Sequence, residues 1–306
     1  MPLVTSKGLL EKALQEGYAI GAFNANNMEM VQAIVETAEE ERSPVIVQIS
    51  QGAINYGGAD YFAALVKLAA EKATVPVVLH LDHGMDLAVN VRCLREGFSS
   101  LMFDGSKLPF AENIAITRQV VEIAHKVGVP VEGEIGKVPT TKGEAIPYEE
   151  LRQFFTNPEE AVEFFQKTGV DSLAVSVGSA HKMKVREAIL DIERIAAIRE
   201  AVQIPLVLHG ASGVKDDQIP LAIKAGIAKI NVATELGKAF TAELQKAFAA
   251  DPGQVDLRKY TAPARAAVKE AVREKIRLFG SQGKAPDYYK DEGAWSEPEI
   301  AREAPE

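Results

Sequence analysis

The chain of 306 residues has one cysteine, Cys93. That excludes an intramolecular disulfide and a cysteine-based metal cluster, and the reading that follows is a cytoplasmic protein of a reducing compartment. Cys93 lies in the helical stretch DLAVNVRCLREGF, where a small buried apolar residue is its expected role. No apolar run approaches the roughly 20 residues of a membrane span. The opening MPLVTSKGLLEKALQEG has neither a charged-then-apolar leader nor a cleavage pattern. Positive charge is in deficit: at a net −9 the field of the whole molecule repels nucleic acid, and an anionic metabolite binds only where local donors overcome it. Aromatic residues, at 7%, are too sparse for a single-strand stacking platform. The expectation is no membrane and no nucleic-acid partner. Two short motifs are also missing, the helical zinc pattern HExxH and the dinucleotide fingerprint GxGxxG.

What the chain does have is alternation. Short β-rich runs occur at 19–23, 44–50, 76–82, 100–105, 130–136, 171–177, 204–210 and 228–233. Between them lie segments with apolar residues at helical spacing, such as Met30-Ala33-Ile34-Thr37 and Ile192-Ile195-Ala196. Near-continuous Val, Ile and Leu within the runs describes parallel strands buried on both faces. Eight such units predict an α/β fold of the (β/α)8 TIM-barrel type rather than an open doubly wound sheet. Two regions depart from the repeat: a long connection at 136–160, and an amphipathic helix at 261–279 beyond the eighth unit. The division expected is one barrel domain over 1–280, including that helix, and a polar tail over 281–306 that docks on another subunit or frays.

Residues 77–86 read VVLHLDHGMD, a good strand that delivers two imidazoles and a carboxylate to its end. The other strand ends are equally polar. In order they offer Asn24, Ser50, Asp82 with His83, Asp104, Glu132 with Glu134, His181, His209 and Asn231. Barrel enzymes place their chemistry at those ends, from several strands at once. Of only five histidines, His83, His181 and His209 fall there, separated by 98 and 28 residues. Only a closed barrel brings them together, and three imidazoles with an open fourth position describe a catalytic metal site; the alternative is three surface loop histidines. His80, inside its strand, is expected to pack or to support a neighbour, and His125, near a helix C-terminus, to be structural. Glu132 and Glu134 share one strand face, where two carboxylates need a cation, a proton or hydrogen bonds; Asp104 could share the cation, or these groups could simply brace the loops. HGASG (209–213) and NVATEL (231–236) are candidate anion-binding turns, with Lys182 and Lys184 nearby.

Together GAFNANN, QISQGAINYGG, VVLHLDHG, SLMFDGS, VEGEIG, SVGSAH, LHGASG, KINVAT and DLRKYTAPARAAVKEAV span the chain, and it resembles the class II, metal-dependent fructose-bisphosphate aldolases. The resemblance implies a (β/α)8 barrel, homodimers or homotetramers, and reversible cleavage of a ketose bisphosphate to dihydroxyacetone phosphate and an aldehyde. It implies that His83, His181 and His209 hold a catalytic divalent ion, Zn2+ or else Co2+ or another, with a monovalent cation as a further cofactor. It implies Asp82 as the proton donor and acceptor at the C4 oxygen, and Asp104 and Glu134 as a second or alternative metal site. Gly210, Ser212, Asn231 and Thr234 match the triose-phosphate site, Ser50 and Asn24 line it, Lys184 is a candidate substrate contact, and Arg258 matches the region of the far phosphate.

The chemistry agrees, because carbon–carbon cleavage leaves a carbanion that needs an electron sink, which a divalent cation supplies. A Schiff-base lysine is the other sink, with Lys229 the one strand lysine, but it leaves three strand-end histidines unexplained. The chain also departs from the pattern. The loop after EIG reads KVPTTKGEAIPYEE without the usual Gly pair, so Glu144 is the nearest candidate for the carbon base, with Glu149 or Glu150 behind it. Lys182 stands where Gly is usual, Ala233 where Asn or Asp is usual, and SKLPF replaces Ser-His-x-Pro-Phe. The readings that compete are tagatose-bisphosphate aldolase, which differs at one carbon's configuration, a metal-dependent barrel hydrolase, which would want a better ligand than Asn24 on the first strand, and a non-catalytic scaffold.

Overall fold

The computed structural model describes residues 3–285. Among them, eight parallel strands alternate with helices: β1 (Ile20–Asn24), β2 (Val45–Ser50), β3 (Val77–Asp82), β4 (Leu101–Phe103), β5 (Val131–Ile135), β6 (Ser172–Val175), β7 (Leu206–Leu208) and β8 (Ile227–Val232). Each overlaps its expected run. The strand order β3-β2-β1-β8-β7-β6-β5-β4 is closed by isolated bridges His80 to Ser100 and Gly84 to Phe103. Leu81 N donates to Ser100 O at 3.0 Å and Asp104 N to Gly84 O at 2.9 Å across that seam. The fold is a (β/α)8 barrel.

Alternation along each strand sorts the side chains into two cores. Val45, Val47, Ile49, Val77, Leu79 and Leu81 face outward into the main cluster under the helices. Ile20, Ala22, Ile46, Val78 and Ala228 form a second cluster with Leu9, Leu10 and Ala13 of the helix Ser6–Glu16. That helix plugs the N-terminal end of the barrel. Burying this much apolar surface stabilises the fold at about 25 cal/mol per Å2 removed from water.

Short polar caps keep the turns at the other end tight. Asn27 Oδ1 accepts from Met30 N at 3.0 Å and starts the helix Met28–Glu40. Ser50 Oγ accepts from Ala53 N at 3.2 Å and turns β2 directly into the helix Gln51–Gly57. Asp86 does the same for Leu87–Arg95, which carries Cys93 buried at its inner face. Such caps satisfy amide donors that the first helical turn leaves open.

The long connection after β5 is not structureless. It contains a short helix, Tyr148–Leu151, a further turn, Arg152–Phe154, and the Asn157-capped start of the helix Pro158–Thr168. Residues 139–143 pair with the loop after β6 through His181 N to Pro139 O (2.8 Å), Thr141 N to His181 O (3.0 Å) and Lys184 N to Gly143 O (2.8 Å). The helix Leu257–Leu278 crosses Met28–Glu40, with Arg273 and Arg277 both on Glu41 at 3.1 and 2.8 Å. Residues 281–285, expected to begin the tail, dock instead: Gly283 N and Ala285 N donate to Glu41 O and Arg42 O at 2.9 and 2.8 Å. The rest of the expected tail, 286–306, lies outside the described residues.

Candidate active site

A cavity of about 540 Å3 opens at the C-terminal ends of the strands. His83, His181 and His209 converge at its base, each offering a ring nitrogen within 4.8 Å of the others'. The rings meet edge to face, with centroids 4.8 Å apart for His83 and His209 and 5.2 Å for His83 and His181. His83, Asp104 and Glu134 form an overlapping trio under the same 4.8 Å limit. His83 follows β3 with a left-handed backbone, φ +50°, and its Nδ1 lies 2.7 Å from Asp104 Oδ2. Ser106 fixes the other oxygen of Asp104 through its hydroxyl, at 2.7 Å.

The charge balance of the base calls for a cation. Burial disfavours charge on His83, yet the carboxylates of Asp82, Asp104 and Glu134 overcome it and hold a proton there up to about 10. Burial, reinforced by the Asp104 carboxylate, raises Glu134 to about 8. His181 is pushed down to about 3 by burial and then by the neighbouring imidazoles. Two buried atoms, His209 Nδ1 and Glu134 Oε2, have no hydrogen-bond partner and face each other at 3.7 Å. A divalent ion would satisfy both, so the residues present fit one.

Behind the histidines runs a buried polar chain. His209 Nε2 meets Glu132 Oε1 at 2.9 Å, and Lys229 Nζ meets Glu132 Oε2 at 2.8 Å. This turns His209 so that Nδ1 faces the cavity base, the support that metal-ligating imidazoles ordinarily receive. Lys229 also donates to Asn231 Oδ1 at 2.8 Å. Asn231 Nδ2 in turn donates to Asp82 Oδ1 at 3.2 Å, Asn24 Nδ2 to Asp82 Oδ2 at 2.8 Å, and Gln48 Nε2 to Asn24 Oδ1 at 2.7 Å. Asp82 is thus held by an amide on each oxygen beside His83. Burial opposes its ionisation, but His83, His209 and Lys229 prevail and its pKa falls.

The sequence profile described as fructose-bisphosphate aldolase class-II matches residues 4–284. The chain belongs to the class II fructose-bisphosphate aldolase family. A protein named fructose-bisphosphate aldolase from Thermus caldophilus is 46% identical, over 92% of this chain and all of that one. The YdjI aldolase of Escherichia coli K12 superposes with a TM-score of 0.80 at 38% identity, covering 92% of this chain and 99% of the other. A putative fructose-1,6-biphosphate aldolase from Coccidioides immitis gives 0.79 at 32%, covering 92% and 97%.

Most of the residues expected of an aldolase site do meet. Besides His83, His181, Asp104 and Glu134 of the two trios, and Asp82, the cavity is lined by Asn24, Ser50 and Asn231, and by Gly210, Ser212 and Thr234 at the ends of β7 and β8, with His209 buried just beneath. Gly210, with φ +66°, needs the left-handed region, and a Cβ there would lie 2.8 Å from Ala180 backbone atoms. Ser212 follows in the turn Ala211–Gly213, and Thr234 opens the helix Thr234–Ala250, whose N-terminus is the kind of helix end that favours an anion.

Three expected residues are not brought to the cavity of this aldolase. Glu144 is exposed, one residue past the Gly143 to Lys184 pairing that holds its loop to the rim. Lys184 is exposed, and its methylenes lie against Gly143. Arg258 is exposed at the start of the C-terminal helix and bound to Asp256 at 2.9 Å. Conversely, Lys107, Lys137 and Thr140 line the cavity without having been singled out, and Gln48 was passed over as a strand residue. Gln48 carried a signal, one amide inside the apolar run VIVQIS; the loop residues carried none.

Proposed function

We propose that this aldolase uses a divalent ion, most simply zinc, to cleave fructose 1,6-bisphosphate reversibly into dihydroxyacetone phosphate and glyceraldehyde 3-phosphate, as in glycolysis and gluconeogenesis. The observation that carries the reading is the pair of partnerless atoms, His209 Nδ1 and Glu134 Oε2, facing each other beside an Asp82 carboxylate gripped on both oxygens. A divalent ion held by His83, His181 and His209 supplies the positive charge that a carbanion-forming cleavage requires. Asp104 and Glu134 offer it, or a second ion, an alternative seat.

In the cleavage direction Asp82 takes the C4 hydroxyl proton as the carbon–carbon bond breaks, and returns it in synthesis. Its lowered pKa keeps it ionised and ready, while Asn24 and Asn231 fix its orientation. Gly210, Ser212, Asn231 and Thr234 hold the triose phosphate, with Ser50 and Asn24 lining the opposite side. Glu144 is assigned the proton on the carbon next to the ketone, a task for which the 137–147 segment must bend inward. Lys229 is already bound to Glu132 deep in the core, which argues against a Schiff base.

The enzyme is further proposed to act in the cytoplasm as a homodimer or homotetramer. No helix among the described residues is long and apolar enough to cross a membrane. Phe248, Val255 and Leu257 stand exposed where two long helices meet, a surface suited to a second copy. In that assembly Arg258, exchanging its Asp256 partner, and Lys184 are the cations assigned to reach substrate.

The test is cleavage of fructose 1,6-bisphosphate before and after chelation, with tagatose 1,6-bisphosphate run beside it. Activity should vanish with chelator and return with zinc. Activity that survives chelation and dies with borohydride would overturn the metal reading, and a higher kcat/KM for tagatose bisphosphate would reassign the substrate.

A further inference from the structure

Behind the residues assigned to the triose phosphate lies a set of four charges that the proposed reaction does not use. Glu235 follows Thr234 directly, in the first turn of the helix Thr234–Ala250, and Asp216 lies four residues after Ser212. Arg186, from the loop after β6, reaches both carboxylates: Nη1 donates to Asp216 Oδ2 at 2.7 Å and Nη2 donates to Glu235 Oε1. Lys275 of the C-terminal helix reaches the same pair, 3.1 Å from Glu235 Oε2 and 3.7 Å from Asp216 Oδ1. Four separate elements thus meet in one closed square of alternating sign. Asp216, Glu235 and Lys275 share a small hollow with Ala211 and Ser212, so the square sits against the turn that carries Ser212.

The placement poses an electrostatic problem. A helix N-terminus favours an anion, and here the chain's own carboxylate, Glu235, already stands in the first turn with 17% of its side chain exposed. Charge held there beside Thr234 repels an incoming phosphate, and partial burial leaves that repulsion poorly screened. Two cations facing two carboxylates bring the square to zero. Lys275 faces one oxygen of Glu235, but Oε2 has no hydrogen-bond partner; Arg186 donates to the other. The backbone fixes where Arg186 stands. Its loop is laced to the Ser212 turn through Ala188 N to Gly213 O (2.9 Å) and Lys215 N to Ala188 O (3.2 Å).

We propose that Arg186 is a positioning residue for the triose-phosphate end. It cancels the charge of Glu235 behind Ser212 and Thr234, so that the helix start stays open to a phosphate, and it touches no substrate itself. The planar fork of an arginine suits the task, since it spans two carboxylates on two different elements at once. The inference rests on the aldolase reading above. Loss of Arg186 therefore weakens the grip on the phosphate-bearing half and leaves the metal centre and Asp82 as they are.

Calorimetric titration of the zinc-loaded enzyme with dihydroxyacetone phosphate tests this without turnover. R186M should bind the ligand about three- to tenfold more weakly, the worth of one uncompensated charge near a partly buried site. Zinc content and melting temperature should stay at the wild-type values, because a half-exposed ion pair contributes little to stability. The decisive variant is R186M/E235Q, in which Lys275 and Asp216 again sum to zero. Its affinity should return to that of wild type. An R186M that binds as tightly as wild type overturns the proposal. So does a loss that E235Q fails to repair, since an arginine needed only for the shape of its loop would be missed equally with either residue at 235. If wild type itself does not bind dihydroxyacetone phosphate, the aldolase reading fails and the role of Arg186 falls with it; wild-type binding that R186M leaves untouched sinks the role of Arg186 alone.

Discussion

The floor and the mouth of this barrel are built from the same inward positions of the same strands, a few ångströms apart. On β2 the inward row climbs Ile46, Gln48, Ser50, and on β3 it climbs Val78, His80, Asp82. The lower members pack against the plugging helix, and the topmost, Ser50 and Asp82, line the cavity. Between them lies one buried polar layer, where Glu132 and Lys229 neutralise each other beside His80, which burial and Lys229 keep uncharged. Stability resides below and chemistry above, and the middle layer couples the two.

That division can be broken by experiment from the top down. Chelating the divalent ion should abolish fructose-bisphosphate cleavage altogether; the coupled assay for glyceraldehyde 3-phosphate reads it, and full activity in chelator would erase the contrast. Asp82→Ala should lower kcat by about 10²- to 10⁴-fold, the ordinary worth of a positioned acid–base group, while metal content by atomic absorption stays at the wild-type value. Lys229→Met strikes the middle layer. Zinc affinity should fall by about 10- to 100-fold as Glu132 loses its hold on His209, and the melting temperature should drop as well because Glu132 is left as an unpaired buried charge. Ile46→Ala belongs to the floor: urea unfolding should show a loss of about 2–5 kcal/mol, with kcat per folded molecule unchanged. The smallest effect is on Cys93, outside both regions. Burial pushes its thiol up to about 12, so a thiol reagent should label none of the native protein and one equivalent in denaturant.

Strands were the most legible feature, because a parallel strand under helices must be apolar on both faces and PVIVQIS or IPLVLHG can be little else. The cluster of His83, His181 and His209 was legible only through the barrel: residues 98 and 28 positions apart become neighbours once eight ends form a ring. The Glu132–Lys229 pair was harder to see, since no local pattern tells which inward residues of β5 and β8 meet across the interior. The helical turns within 136–160 were hidden as well. That segment takes its shape from pairing with the loop after His181, not from its own periodicity. Glu144 and Arg258 came from likeness to a family and Lys184 only from its nearness in sequence to His181, and these are the three that stay away from the cavity.

Asp82 and His83 are consecutive residues, and a strand would send their side chains to opposite faces of the sheet. The left-handed torsion at His83 rotates the imidazole back so that both groups look into the same hollow. Gly84 leaves no room for error: a methyl group on it would lie 2.6 Å from Met102 O and 2.7 Å from Leu81 Cδ2. The separation of the Asp82 carboxylate and the His83 imidazole is thereby set by one peptide unit. A substitution as small as Gly84→Ala would move both partners together, so the two functions would drift in concert rather than come apart.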